Sequence, residues 1–200
     1  MPTWAARIAG VTVFDLSAVS SAQASSVTFT NINDALPSRC YDSSITEPDS
    51  TNPNRLVIGI DTGVALVNSE FGAQYLERGC AASTAAFYSK STMDTISFLV
   101  EAPAGFYISK ISFSQFGSIT NSRGGQAFLG ATWVVDEDAN VVPYNSTTKT
   151  WSATVNLTGQ NKTLVPVSVT TFLTASGISP QSSSAVVSNP AVVVELLPLP

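Results

Sequence analysis

Short runs of alternating apolar and polar residues recur along most of the chain. Over residues 95–101 the side chains of Ile96, Phe98 and Val100 fall on one side of an extended backbone, the period of two that predicts a strand with one buried face. Residues 151–157 repeat it with Trp151, Ala153, Val155 and Leu157, and so do Val165, Val167 and Val169, then Val192, Val194 and Leu196. Further strands are predicted at 26–30, 55–60, 84–90, 106–114 and 127–135, where β-branched and aromatic residues cluster. In the 106–114 segment Ile108 and Ile111 have opposite parity, which predicts a bulge near Ser109-Lys110. Pro166 removes a ladder donor, so its strand is expected at a sheet edge or starting at Val167.

Between these runs lie the breakers: Pro48, Pro53, Pro103 with Gly105, Gly124-Gly125, Pro143, Gly159 and Pro180. That spacing suits antiparallel strands joined by turns. Residues 37–54 and 176–184 read as long surface loops, and no internal repeat is present. The helical signal is confined to residues 71–78, with Asn68 or Ser69 as cap and Gly79 beyond the end. About nine strands without alternating helices predict an all-β protein. The expected fold is a two-sheet antiparallel β-sandwich, jelly-roll-like, with at most one or two short helices.

Composition narrows the function classes. Lys and Arg total 9 against 14 Asp and Glu, a net charge of −5, so the clustered positive charge that neutralises phosphates is missing and no nucleic-acid partner is expected. There is no His, which removes imidazole acid–base chemistry, Ser-His-Asp triads and imidazole metal sites. No run of 18 apolar residues occurs, so no transmembrane helix is expected.

Residues 1–24 contain Arg7, an apolar run from Ile8 to Phe14 and Ala22-Gln23-Ala24 before Ser25. This predicts a secretory signal peptide, interrupted by Asp15, ahead of a single domain over 25–200. The other reading is an uncleaved N-terminal strand over 11–16. Cys40 and Cys80 fit export as a disulfide, since two thiols in an oxidising space usually pair. Closing that loop stabilises a fold by roughly 4 kcal/mol. Two free buried thiols are the alternative, and the absence of C-x-x-C spacing argues against zinc or redox chemistry.

Candidate chemistry is sparse. Asp136-Glu137-Asp138-Ala139-Asn140 offers the oxygen spacing that opens a calcium loop, with Asp136, Asp138 and Asn140 as ligands and Asp61 or Asp34 in support. Val141 and Thr147 stand where an EF-hand needs Gly and an acid, so any structural Ca²⁺ here would sit in a looser site; a plain polar hairpin turn is the competing reading. Carboxylates available for glycoside hydrolysis are Glu70, Glu77, Glu101, Asp136 and Glu137, with nothing in their spacing to pair them. Trp133 and Trp151 lie at apolar parity and are expected in the core. Tyr107 and Tyr144 sit beside turns and are the better candidates for stacking on sugar rings, ahead of Tyr41, Tyr75 and Tyr88. Three N-x-T or N-x-S-type acceptor patterns start at Asn145, Asn156 and Asn161, a chance expectation in a chain rich in Ser and Thr. Gly124-Gly125 lacks the context of a phosphate loop and reads as a turn.

Residues 98–113 (FLVEAPAGFYISKISF), the following Gly-rich turn, Ala131-Thr-Trp-Val-Val-Asp136 and the Val-rich ending 192–200 resemble bacterial secreted β-sandwich proteins of the PEP-CTERM class, which are sorted by an exosortase. The ending supplies a strand and two prolines without the Glu between prolines, the apolar helix or the basic tail, a degenerate or truncated form of the sorting motif. The resemblance covers about the last half of the chain. It implies export to the cell surface or matrix and a non-catalytic role in biofilm or envelope, and it transfers no catalytic residue. The expected function is therefore a secreted or cell-surface structural or adhesive protein without enzymatic activity, in contact with polysaccharide, other surface proteins or copies of itself. A carbohydrate-binding module is one alternative. A filament subunit whose segment 188–199 adds as a strand to a neighbouring sheet is the other.

Overall fold

The structure, a computed structural model, describes residues 26–35, 41–60, 81–85, 89–121, 126–145, 147, 149–176 and 182–200. Twelve strands run through them: β1 (Thr28–Asp34), β2 (Tyr41–Pro48), β3 (Arg55–Ile60), β4 (Ala81–Ala85), β5 (Ser89–Glu101), β6 (Phe106–Asn121), β7 (Gln126–Val135), β8 (Asp138–Val141), β9 (Tyr144–Asn145), β10 (Thr150–Asn156), β11 (Leu164–Ser176) and β12 (Ser182–Pro198). One sheet has the order β1-β5-β11-β7-β8. The other has the order β2-β3-β12-β6-β10-β9, with β4 also on β12. Every described pairing is antiparallel, and there is no helix among the described residues. The expected two-sheet antiparallel sandwich is present, and the chain crosses from one sheet to the other repeatedly.

The alternation read from sequence sets the inner faces. Ile96, Phe98 and Val100 of β5 and Val165, Val167 and Val169 of β11 are buried from the five-stranded sheet. Ile111, Phe113, Val192 and Val194 face them from β6 and β12. Fully burying such a side chain stabilises the fold by about 1.5–3 kcal/mol. Trp133 and Trp151 are both in the core, as their parity predicted.

The irregularities have local causes. Glu195 pairs with Lys110 and Leu196 with Ile108, so Ser109 is the extra residue of a bulge on β6, at the place that parity predicted. Its hydroxyl donates to the Glu195 carbonyl at 2.9 Å, and its own carbonyl accepts from the Leu157 amide at 2.8 Å. The bulge turns both Ile108 and Ile111 inward. Between Asp42 and Glu47 the β2–β3 register shifts, and the extra residues fold over Gly59. A Cβ at Gly59 would overlap the Ile45 side chain and stand 2.6 Å from the Asp42 carbonyl oxygen, so only glycine fits under this excursion.

Several expectations are corrected. The strand carrying Pro166 is interior, between β5 and β7. A residue's N and O point to the same side of a strand, and the Pro166 carbonyl accepts from the Asp136 amide at 3.0 Å. Its donorless nitrogen therefore faces the turn after β7, beyond the last β7–β11 ladder pair at Val167 and Val135. The segment expected as one strand at 84–90 is divided between β4 and β5. Residues 41–48, expected in a loop, form β2, and residues 182–184, likewise expected in a loop, open β12. Within the terminal segment 188–199, Ser188 and residues 191–198 pair with β6, and Ala191, Val192 and Val193 also pair with β3 on the other side. The predicted signal peptide at 1–24 and helix at 71–78 lie outside the described residues, as do Cys40 and Cys80.

Truncating Ile96, which is fully buried, to Ala is expected to lower unfolding free energy by about 2–5 kcal/mol. Ser152→Ala on the exposed face of β10 should stay within about 0.5 kcal/mol of the parent. Chemical denaturation with a shared m-value checks both.

Candidate functional site

Four polar side chains meet inside the sandwich. Tyr41 opens β2 and Gln115 lies on β6, both in the seven-stranded sheet; Asp94 on β5 and Thr171 on β11 come from the other. Each is at most 1% exposed. Each of Asp94, Gln115 and Thr171 occupies an inward position, in step with Ile96, Phe113 and Val169 respectively. Thr171 and Asp94 are directly paired across β11 and β5.

The hydrogen bonds run in one direction. The Tyr41 hydroxyl donates to Thr171 Oγ1, which in turn donates to Gln115 Oε1 at 3.1 Å. Asp94 Oδ2 accepts the Tyr41 backbone N–H at 3.0 Å and Oδ1 accepts the Thr95 N–H at 2.7 Å. Gln115 Nε2 is buried with no hydrogen-bond partner. Leaving such a donor unmatched costs about 1–3 kcal/mol. Burial raises the Tyr41 pKa far above the usual phenol range; the bond to Thr171 opposes this and the nearby Asp94 carboxyl adds to it. The phenol is thus a neutral donor at any physiological pH.

The second feature is the outer face of the five-stranded sheet. Met93, Phe172 and Gly130 form one row across β5, β11 and β7. The Phe172 ring stacks on Phe128 with centroids 5.5 Å apart, and it occupies the space that a Cβ at Gly130 would need. Met93 and Phe128 are more than half exposed. The next row is Thr95, Thr170 and Thr132, with the first two hydroxyls 2.8 Å apart, and the row after it is Ser97, Ser168 and Val134. Among the described outward residues of β5, β11 and β7, the only charged one is Glu101 at a strand end.

The residues singled out from sequence are dispersed. Asp136 and Glu137 form the two-residue turn between β7 and β8, both at positive φ (52° and 74°), the geometry of a type I′ hairpin. Asp136 is ion-paired with Lys162. Asp138 and Asn140 are exposed on β8, where the Asn140 side-chain amide donates to the Asp138 carbonyl at 3.2 Å. Asp34 lies on β1 at the opposite edge of the sheet, where it accepts the Ser43 amide; four strand spacings of about 4.8 Å separate the two edges. Asp61 lies outside the described residues. No group of three or more His, Cys, Asp or Glu positioned for a metal ion occurs among the described residues.

Tyr107 is 7% exposed and paired with Leu197, so its ring offers no open face for stacking. Tyr144 is 44% exposed and lies on Trp151 with ring centroids 4.1 Å apart, so one of its faces already covers the indole. Of the carboxylates considered for hydrolysis, Glu70 and Glu77 lie outside the described residues. Glu101 ends β5 in the open. No helix among the described residues is long and apolar enough to cross a membrane.

The β2–β3 connection is held by Asp49. Its Oδ1 accepts the Thr51 amide at 2.8 Å and hydroxyl at 2.7 Å, and its Oδ2 pairs with Arg55 at 2.5 Å. The Thr51 bonds first, and Arg55 after them, hold its carboxyl well below the ordinary carboxylate range. The unfolded chain then binds the proton more tightly, so this contribution is complete above the ordinary Asp value and fades as pH falls through it toward the lowered one. Asp49→Asn is expected to flatten the dependence of melting temperature on pH below about 4, checked by thermal unfolding across an acid series. An unchanged slope would contradict the assignment.

Among known proteins, no family model matches this chain. No curated protein matches it either.

Proposed function

We propose that the protein is a structural, adhesive component of a cell surface or extracellular matrix, exported to that place and in contact with neutral polymer or neighbouring protein. One observation carries this reading: the outer face of the five-stranded sheet is broad, nearly free of charge, and built from hydroxyl rows beside an exposed Phe128–Phe172–Met93 patch. Such a face neither repels nor selects by charge. It suits partners that are themselves uncharged and rich in hydroxyls, and the desolvation it asks of them is small. The β-sandwich resemblance to PEP-CTERM-class proteins supports the same compartment.

A carbohydrate-binding module is the second reading, favoured by the stacked ring pair. Exposed aromatic faces beside hydroxyls are the combination that packs on the C–H face of a sugar and bonds its rim. Tyr144, offered from sequence as a sugar-stacking residue, lies on the other sheet and has one face available.

The test uses the full chain in a sedimentation assay with insoluble neutral polysaccharides and with an anionic one. Retention on the neutral polymers is expected, weakened about 3- to 10-fold by Phe128→Ala and unchanged by Ser152→Ala on the opposite face. Equal retention by parent and Phe128→Ala would remove this face as the contact. Fractionation of the native host that finds the chain wholly in the cytosol would remove the surface role.

A further inference from the structure

We propose that Thr171 and Gln115 become joined by a side-chain ester, a covalent bond between the two sheets, formed by the chain itself. The hydroxyl and the amide are already hydrogen-bonded, with Thr171 Oγ1 3.1 Å from Gln115 Oε1 and so next to the amide whose Cδ is the electrophile. Both are fully buried and on strands of different sheets. The leaving nitrogen, Gln115 Nε2, is held by no hydrogen bond. The Tyr41 hydroxyl donates to Oγ1 and thereby keeps the Thr171 hydroxyl turned toward the amide. Asp94 acts at one remove as a positioning residue, since its carboxyl anchors the Tyr41 backbone.

The step balances without a co-reactant. Thr171 Oγ1 adds to Gln115 Cδ, forming the O–C bond while the carbonyl electron pair moves onto Oε1. That pair returns as the Cδ–Nε2 bond breaks, and the bond's electrons leave on nitrogen. The Thr171 hydroxyl proton, already aimed at the amide by its hydrogen bond to Oε1, passes to the amide as the O–C bond forms and leaves on that nitrogen. An alcohol and a primary amide become an ester and one ammonia, and nothing is oxidised or reduced.

An amide is a poor electrophile in water, and what changes here is the setting. Fixed contact between two groups replaces a bimolecular encounter, an effect that reaches effective molarities of about 10⁵ M and above. The released ammonia is diluted into solvent, which draws the exchange forward. A site closed to water also protects the ester from hydrolysis once formed. The proposal does not depend on what the outer faces bind.

Intact-mass measurement of the full chain, denatured and reduced, is expected to read one ammonia below the mass set by its sequenced termini. Digestion should yield one joined pair of peptides, one carrying Thr171 and the other Gln115, and hydroxylamine at alkaline pH should separate them. Thr171→Val and Gln115→Leu should each restore the full mass. A folded parent chain at full mass overturns the proposal, and so does an ammonia loss that maps to any other residue. Should either variant fail to fold, the peptide map of the parent decides alone.

Discussion

Each sheet has one face of mostly large apolar residues that cannot be left to water; mutual cover of those two faces is the constraint from which the rest follows. The long central strands carry most of it. In β11 the run Val165, Val167, Val169 is buried without a break, and β6 answers with Ile108, Ile111 and Phe113 from the other side. Because the side-chain period is two, a slip of one residue in either strand would turn an entire row outward. The bulge at Ser109 is how β6 keeps its apolar residues inside across a change of parity, with the extra residue bonded to Glu195 and Leu157 and not left bare.

The same constraint leaves the outer faces free. Nothing in the packing of the core specifies what stands at Thr95, Thr170, Thr132 or Phe128. Solvated sheet faces usually carry Lys and Glu, which raise solubility and discourage edge-to-edge pairing. Here the outward rows of β5, β11 and β7 hold hydroxyls and an aromatic pair. Gly130 gives the clearest sign of local fitting, since it leaves the room in which the Phe172 ring lies flat beside Phe128. A surface arranged this way gives up charge repulsion and gains a flat contact area, which accords with an adhesive role.

Much of this fold is legible in the residues, because hydrophobic alternation is a direct record of which side is buried. The strands around Ile96, Trp151, Val167 and Val192 and the Ser109 bulge follow from that record. What it misses is pairing. Pro166 reads as an edge marker, since sequence cannot say that its nitrogen faces the Asp136 turn and not a neighbour's carbonyl. β2 reads as loop because Tyr41–Pro48 is polar and interrupted, its buried residues being only Tyr41 and Thr46. The polar quartet escapes for a different reason. Asp94, Gln115 and Thr171 stand where alternation calls for apolar residues, and a polar residue in step with Ile96, Phe113 and Val169 is itself a readable signal; no rule of spacing, however, says that three such residues on three strands meet.

That meeting bears on how the sandwich is held. A buried polar group costs free energy unless bonded, and an apolar replacement of the same shape is often as stable or more so. Stability alone therefore gives no reason for Tyr41, Asp94, Thr171 and Gln115 to share the interior. Directionality does give one. A valine in place of Thr171 could make neither bond, whereas the Thr171 hydroxyl accepts from Tyr41 and donates to Gln115 Oε1 together in one register of β11 against β6. Apolar contact between sheets resists sliding weakly, because one methyl replaces another; a bond chain from Tyr41 to Gln115 must break before the sheets can shift. Thr171 and Gln115 sit on β11 and β6, interior strands of the two sheets, so the bond between them ties the layers together at their middle and not at an edge.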